Sequence, residues 1–325
     1  MNICIIGHGM MGRWHSEAIS KRSDCNLHTL VGRKMDATAA FATEFGFEKW
    51  TINLNDALLN DEIDAVIIAS PSENHTEHAL ACLGQNKHTL VEIPLAMSEN
   101  DAKKIVALAK EKKLILGSVQ PSRFSDGIKK LQRRLRNGEE NIRHMVGRFY
   151  THRLENIGHT GYKRSWTDNL LWHHTLHLLD LGIWLLDQPI RQIQSFMPAS
   201  DLKTGTPMDI FYGVETELDQ SLILTGSYCS KQQIHEMLIV TDLETYLLDL
   251  VNEKLLSSKT EEIISSVQEA NVRVTDDFVS AVRNKRETFA SGQSLLPSIQ
   301  ILQKVQNNWD SQNQKGSITG RNDYG

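Results

Sequence analysis

Asn2-Ile3-Cys4-Ile5-Ile6-Gly7-His8-Gly9-Met10-Met11-Gly12 is the stretch that decides the fold of this chain. An apolar, strand-like run leads straight into G-x-G-x-x-G, and a helical pattern follows over residues 11–21. The glycine pattern alone is weak. Between a strand and a helix it is the fingerprint of a dinucleotide-binding turn. Gly7 permits the tight turn, Gly9 lets the backbone approach a pyrophosphate, and Gly12 lets the helix pack on the strand. The helix start, with Met10 and Met11 in its first turn, offers unsatisfied N–H groups and a partial positive charge to phosphates.

Working outward, short apolar runs alternate with helical patterns, which predicts a parallel sheet covered by helices. Strands are expected at 27–31, 65–69, 88–92 and 114–119, and helices at 36–45, 77–84 and 99–112. Gly46 reads as a C-cap and Ser98 as an N-cap. Pro121 marks the exit, so residues 1–121 are expected to form an α/β Rossmann domain with a doubly wound parallel sheet. Residues 122–325 read as an α+β domain for substrate binding and oligomerisation. Its strands, at 142–153, 190–197, 209–217, 221–228, 236–240 and 245–251, follow one another on short connections. That favours an open, mostly antiparallel sheet. Helices are expected at 126–136, 170–186, 276–285 and 297–309.

The end of the second strand speaks to which dinucleotide binds. An NAD site carries Asp or Glu there for the ribose 2′-hydroxyl. This chain has Gly32-Arg33-Lys34. No carboxylate repels a 2′-phosphate; Arg33 can pair with it bidentately and Lys34 can add a point charge. The reading is NADP in preference to NAD, against the alternative of a solvated basic turn.

Composition narrows the class. The 325 residues are 40% hydrophobic, enough for two packed cores, and the formal net charge of −5 carries no basic stripe for nucleic acid. No apolar run reaches the ~20 residues that span a bilayer, and no signal peptide is seen, so a cytoplasmic protein is expected. Cys4, Cys25, Cys82 and Cys229 form no C-x-x-C pair. They read as small buried hydrophobes rather than disulfides or thiolate ligands.

Further motifs follow in order: Ser70-Pro71, His75, Gln85-Asn86-Lys87-His88 and Val91-Glu92-Ile93-Pro94-Leu95-Ala96. With the glycine loop, Arg123-Phe124, the segment from Phe278 to Arg283 and the late helix ending in Ser311, they resemble the glucose–fructose oxidoreductase / inositol dehydrogenase (Gfo/Idh/MocA) family over nearly the whole chain. The resemblance implies that Ser70, Pro71, His75, Glu92 and Pro94 line the cofactor. It also implies that the open sheet pairs subunits into a homodimer or homotetramer. Two departures matter. The family's Glu-Lys-Pro is Glu92-Ile93-Pro94 here, so its active-site lysine is missing. Its Asp-x-Gly-x-His-x-x-Asp becomes His173-His174-Thr175-Leu176-His177-Leu178-Leu179-Asp180, so the family histidine maps onto His177 and its first aspartate onto His173. Glu92–Ala96 together with the run from Arg164 to His174 resembles a branch of the family that oxidises the cyclic hemiacetal of an aromatic ring-cleavage product with NADP.

His173 and His177 are four apart and share a helix face. Asp180, three further on, can orient His177, while His174 points roughly 100° away on a regular helix. Three of the chain's 13 histidines thus fall within five positions. Oxidising a hydroxyl needs a base for its proton, and histidine titrates near working pH. His177, His173, His174 and Asp180 are therefore the catalytic candidates. A zinc site on H-x-x-x-H, with His152 or Asp168 as a third ligand, is the less favoured reading, and a hydrogen-bonded structural cluster the plain one. Arg123, Arg153 and Arg164 are candidate partners for a substrate carboxylate, with Trp166 and Trp172 as walls for a flat ring. The alternative is solvated arginines and core tryptophans. Asp168 equally suits a helix N-cap. Three functional readings compete: oxidation of a hemiacetal or hydroxyl on a small carboxylated substrate, a sugar or inositol dehydrogenase or reductase, and a catalytically inactive NADP-binding regulator.

Overall fold

The structure is a computed structural model and describes residues 1–158, 161, 163–167 and 169–313. The chain forms two compact units, Met1–Pro121 with Gly158–Tyr162 and Gln268–Leu296, and Ser122–Ile157 with Lys163–Val267 and Pro297–Gly325.

The first unit runs β1 (Asn2–Ile6), α1 (Met10–Ser20), β2 (Asn26–Val31), α2 (Met35–Phe45), β3 (Lys49–Thr51), α3 (Leu54–Leu58), β4 (Ala65–Ile68), α4 (His75–Gly84), β5 (His88–Val91), α5 (Glu99–Glu111) and β6 (Leu116–Ser118). The six strands lie in the order β3-β2-β1-β4-β5-β6, and every neighbouring pair is parallel. This is the doubly wound order, with its switch point between β1 and β4. Ile3–Ile6 and Ala65–Ile68 are covered on both faces, as a parallel sheet requires. Gly46 ends α2 at φ 74°, and the Ser98 hydroxyl accepts from the Asp101 N–H at 3.1 Å to start α5.

The second unit holds α6 (Asp126–Arg136), β7 (Ile142–His152), α7 (Thr175–Leu186), β8 (Ile190–Phe196), β9 (Asp209–Thr216), β10 (Ser221–Ser227), β11 (Cys229–Thr241), β12 (Thr245–Asp249), β13 (Lys254–Leu256) and β14 (Glu261–Ile263). Its eight strands run β14-β13-β12-β11-β7-β10-β9-β8. All pairs are antiparallel except β7 with β10. Short strands such as β3, β13 and β14 carry too few residues for a periodicity to show.

α8 (Val267–Asn284) and α9 (Gly292–Asn313) follow. A single boundary between residues 121 and 122 is too simple, because residues 268–296 return to the first unit. Val274, Phe278, Val279 and Ala281 on this segment are buried, and polar pairs add to that packing. Arg22 pairs with Asp276, Arg283 with Asp24, and the Ser118 N–H donates to the Ala290 carbonyl at 2.9 Å. α9 carries Pro297 inside it, and the second unit resumes at that residue. Cys4, Cys25 and Cys82 are buried, but Cys229 is exposed at the start of β11, so it is not a core residue. No described helix is long and apolar enough to cross a membrane.

Candidate active site

In the first unit, all strand ends that carry motif residues share one edge, because the strands are parallel. Gly7 follows β1, Gly32 and Arg33 follow β2, Ser70 and Pro71 follow β4, and Glu92 follows β5. Gly7 sits at φ +103°, and a Cβ there would meet the Ala69 carbonyl oxygen at 2.4 Å. A Cβ on Gly12 would meet the Gly7 carbonyl oxygen at 2.2 Å, so side chains are excluded at both positions. At Gly9 nothing lies within 4 Å, which leaves the approach over the turn open. Gly9 caps α1 without a side-chain acceptor, and no acidic residue stands in the first turn. Met10 and Met11 are half-buried there. The turn is thus a cradle with free N–H groups and no competing carboxylate, which fits a dinucleotide pyrophosphate.

Arg33 and Lys34 are exposed beside this turn. Burial, with a contribution from the Arg33 charge, lowers the pKa of His8 between the first two glycines. His75 is buried and pins two loops together. Its Nδ1 lies 2.7 Å from the Pro94 carbonyl oxygen and its Nε2 lies 2.9 Å from that of Ser70. Ser70 Oγ lies 3.0 Å from His78 Nδ1. Glu92 is 7% exposed, and its Oε1 lies 3.0 Å from His15 Nε2. The Ile93–Pro94 peptide is cis, and the Ile93 side chain is buried.

The second unit gathers the histidines in a way that a regular helix would not. Leu170–His174 forms a π-helical turn ahead of α7. The wider turn brings the rings of His173 and His174 to 4.5 Å, while His173 and His177 lie 6.0 Å apart, so the three imidazoles form one cluster. His174 Nε2 lies 3.1 Å from Arg153 Nη1, and its Nδ1 lies 2.7 Å from the Tyr228 hydroxyl. Arginine only donates, so Nε2 must accept, and the remaining proton sits on Nδ1 facing Tyr228. This ring is engaged on both sides and stacks on Phe149 at 4.3 Å.

Asp180 does not hold His177. Its carboxylate accepts from Arg123 Nε at 2.7 Å and Nη2 at 2.5 Å, and from Ser298 Oγ at 3.4 Å. Arg123 and Asp180 are each 1% exposed, so Arg123 is not offered to a substrate either. The reason is desolvation: a buried guanidinium needs a fork of acceptors, and Asp180 supplies it. Burial pushes the Asp180 carboxyl above the usual range, against the opposing pull of Arg123. Trp172 is fully buried and donates to Gln306, so it is core and not a wall of a site.

Arg164 and Trp166 are half-buried on the segment that precedes the π turn. Trp166 lies 5.8 Å from the Tyr228 ring. Arg153 donates to Asn156, whose side-chain amide donates to the Ser165 carbonyl at 2.6 Å, tying this segment to the end of β7. Asp168 lies outside the described residues. His152 is exposed and faces Lys231, a poor setting for a metal ligand. Among the described residues, no group of three or more His, Cys, Asp or Glu could hold a metal ion.

Sequence reading missed Phe149, Tyr228 and His235. Phe149 and His235 face each other across β7 and β11, their rings edge to face at 5.1 Å. Strand alternation puts them on the face that carries Met145 and Met237, but nothing local links them to the histidine turn. Burial pushes the His235 imidazole from its ordinary 6.5 down to about 4. The unfolded chain takes up this proton first, so stability present above about pH 6.5 is lost as pH falls toward 4. Urea midpoints at pH 7 and pH 5 should therefore differ more in the native protein than in His235→Phe. An equal difference in both would refute this.

Comparison with known proteins bears on this geometry. Residues 1–119 match the profile described as "Oxidoreductase family, NAD-binding Rossmann fold", and residues 127–267 match "Bacterial oxidoreductases, C-terminal". The chain is 27% identical over 311 residues to 4-carboxy-2-hydroxymuconate-6-semialdehyde dehydrogenase of Sphingobium sp. (strain NBRC 103272 / SYK-6), covering 94% of this chain and 98% of that protein. It is 28% identical to myo-inositol 2-dehydrogenase of Thermotoga maritima, over 42% of this chain and 41% of that protein. Levoglucosan dehydrogenase solved with NADH has the same fold, with a TM-score of 0.85 at 14% identity over 96% of this chain and 98% of that one. The chain belongs to the Gfo/Idh/MocA family and is an NAD(P)-dependent dehydrogenase acting on CH–OH groups.

Proposed function

We propose that this enzyme oxidises a cyclic hemiacetal or hydroxyl on a small carboxylated substrate of the aromatic ring-cleavage type, with NADP as acceptor. The observation that carries this reading is the imidazole cluster of His173, His174 and His177 beside Arg153, Trp166 and Tyr228, in a chain whose family lysine is Ile93. Similarity along nearly the full length of a semialdehyde dehydrogenase supports it. When bound, the nicotinamide accepts a hydride. His177 would take the proton from the hydroxyl oxygen while the carbon that bears it gives up the hydride, which turns a hemiacetal into a lactone. His174, held by Arg153 and Tyr228, keeps the neighbouring rings in place. Arg164 pairs with a substrate carboxylate through parallel N–H bonds, and Trp166 covers a flat ring.

Arg33 and Lys34, two cations exposed at the end of β2, support NADP over NAD. The expected result is a higher kcat/KM with NADP, and a ratio that narrows in Arg33→Ala. A higher kcat/KM with NAD would overturn the preference. A panel of hemiacetals of carboxylated aromatics, sugars and polyols, followed by NADPH formation, decides the substrate. Turnover confined to sugars or polyols would favour the inositol-type reading, and dinucleotide binding without any turnover would favour a regulatory one. Phe196 and Phe211 are cross-strand partners on the open sheet, 74% and 44% exposed, and they support assembly of subunits through that face. Light scattering on Phe211→Lys tests it; an unchanged mass would count against this face.

A further inference from the structure

Three segments far apart in the chain meet in a buried polar chain inside the first unit. Thr275 on α8 donates its hydroxyl to the Asn271 carbonyl at 3.0 Å, one turn back on its own helix. Its oxygen is then left to accept from His15 Nδ1 on α1, 2.8 Å away. The other ring nitrogen of His15 meets Glu92 Oε1 at 3.0 Å, and Glu92 Oε2 accepts from the Ile93 N–H at 3.3 Å. His15 and Thr275 are 0% exposed and Glu92 is 7% exposed. Such a chain costs desolvation, and core packing alone would be met by apolar residues. Its two ends say what it holds. One is α1, whose first turn faces the open glycine cradle. The other is the turn after β5, at the carboxyl edge where dinucleotides lie on this fold.

We infer that His15 and Thr275 are positioning residues. They hold the Glu92 carboxylate, and with it the Glu92–Pro94 turn, in fixed register with the phosphate-binding end of α1. The inference rests on the first unit's binding a nicotinamide dinucleotide and is independent of the substrate. It also gives α8 a functional reason to pack with a unit that sequence order would assign elsewhere. His75 holds the Pro94 end of this turn, and His15 with Thr275 holds its Glu92 end.

Fluorescence titration of the full chain with NADPH tests this. Thr275→Val removes the acceptor at constant shape and should raise the NADPH Kd roughly tenfold, the loss of one buried polar pairing. Thr275→Ser, which keeps the hydroxyl, should retain the native Kd. His15→Gln should raise Kd similarly, yet add nothing when placed on Glu92→Gln, because both act through the same carboxylate. Native Kd in Thr275→Val, or independent effects of His15→Gln and Glu92→Gln, would overturn the inference. If Thr275→Val does not fold, the His15 and Glu92 cycle decides alone. Unchanged Kd values in an enzyme that turns over its hemiacetal would sink only this inference. Shifted Kd values with no turnover on any panel would sink only the substrate reading.

Discussion

His177→Ala is expected to lower kcat by about 100-fold or more, the usual loss on removing a general base. NADPH Kd should be unchanged, because the first unit holds the dinucleotide. The argument is one of elimination within a cluster. His174 has both ring nitrogens engaged, by Arg153 and by Tyr228. Asp180 is taken by Arg123 and Ser298. His177 is half-buried on α7, 6.0 Å from the His173 ring. His173→Ala should cost less than His177→Ala, since it contacts the base rather than acting as one. Turnover within a few-fold of native in His177→Ala would remove that residue from the chemistry and move the proton acceptor to His173.

The second large effect is on stability. Arg123→Met should destabilise the second unit by about 3–5 kcal/mol, the cost of leaving a buried carboxylate without its cation. Among the described residues, Asp180 then keeps Ser298 as its partner, at 1% exposure. The double variant Arg123→Met/Asp180→Leu should recover most of that loss, because no uncompensated charge remains. Urea denaturation of the two variants measures it. Equal destabilisation in both would show that the pair matters for its shape and not for its charge. Neither change should alter the NADPH Kd.

Much of the first unit was legible because its requirements are local. A strand, a turn that excludes side chains at Gly7 and Gly12, and a helix without a first-turn carboxylate are each written in a dozen consecutive residues. Alternating apolar runs then specify a parallel sheet, since only helices of that spacing can cover both its faces. The histidine concentration was legible as well, but its geometry was not. A 3.6-residue period turns His174 away from its neighbours, and the π turn brings it back.

What sequence alone determined here is a dinucleotide cradle on an α/β sheet, followed by an open antiparallel layer with imidazoles on its helix. Backbone geometry and burial periodicity dictate those features over short range. Only the tertiary structure decided that Asp180 belongs to Arg123, that His15 bridges Glu92 and Thr275 across |i−j| of 77 and 260, and that β7 runs parallel to β10. Each of these pairings answers a buried polar group or an unsatisfied strand edge with a partner distant in the chain. The demand for a partner is written in the residue, but which partner meets it depends on how the folded chain returns.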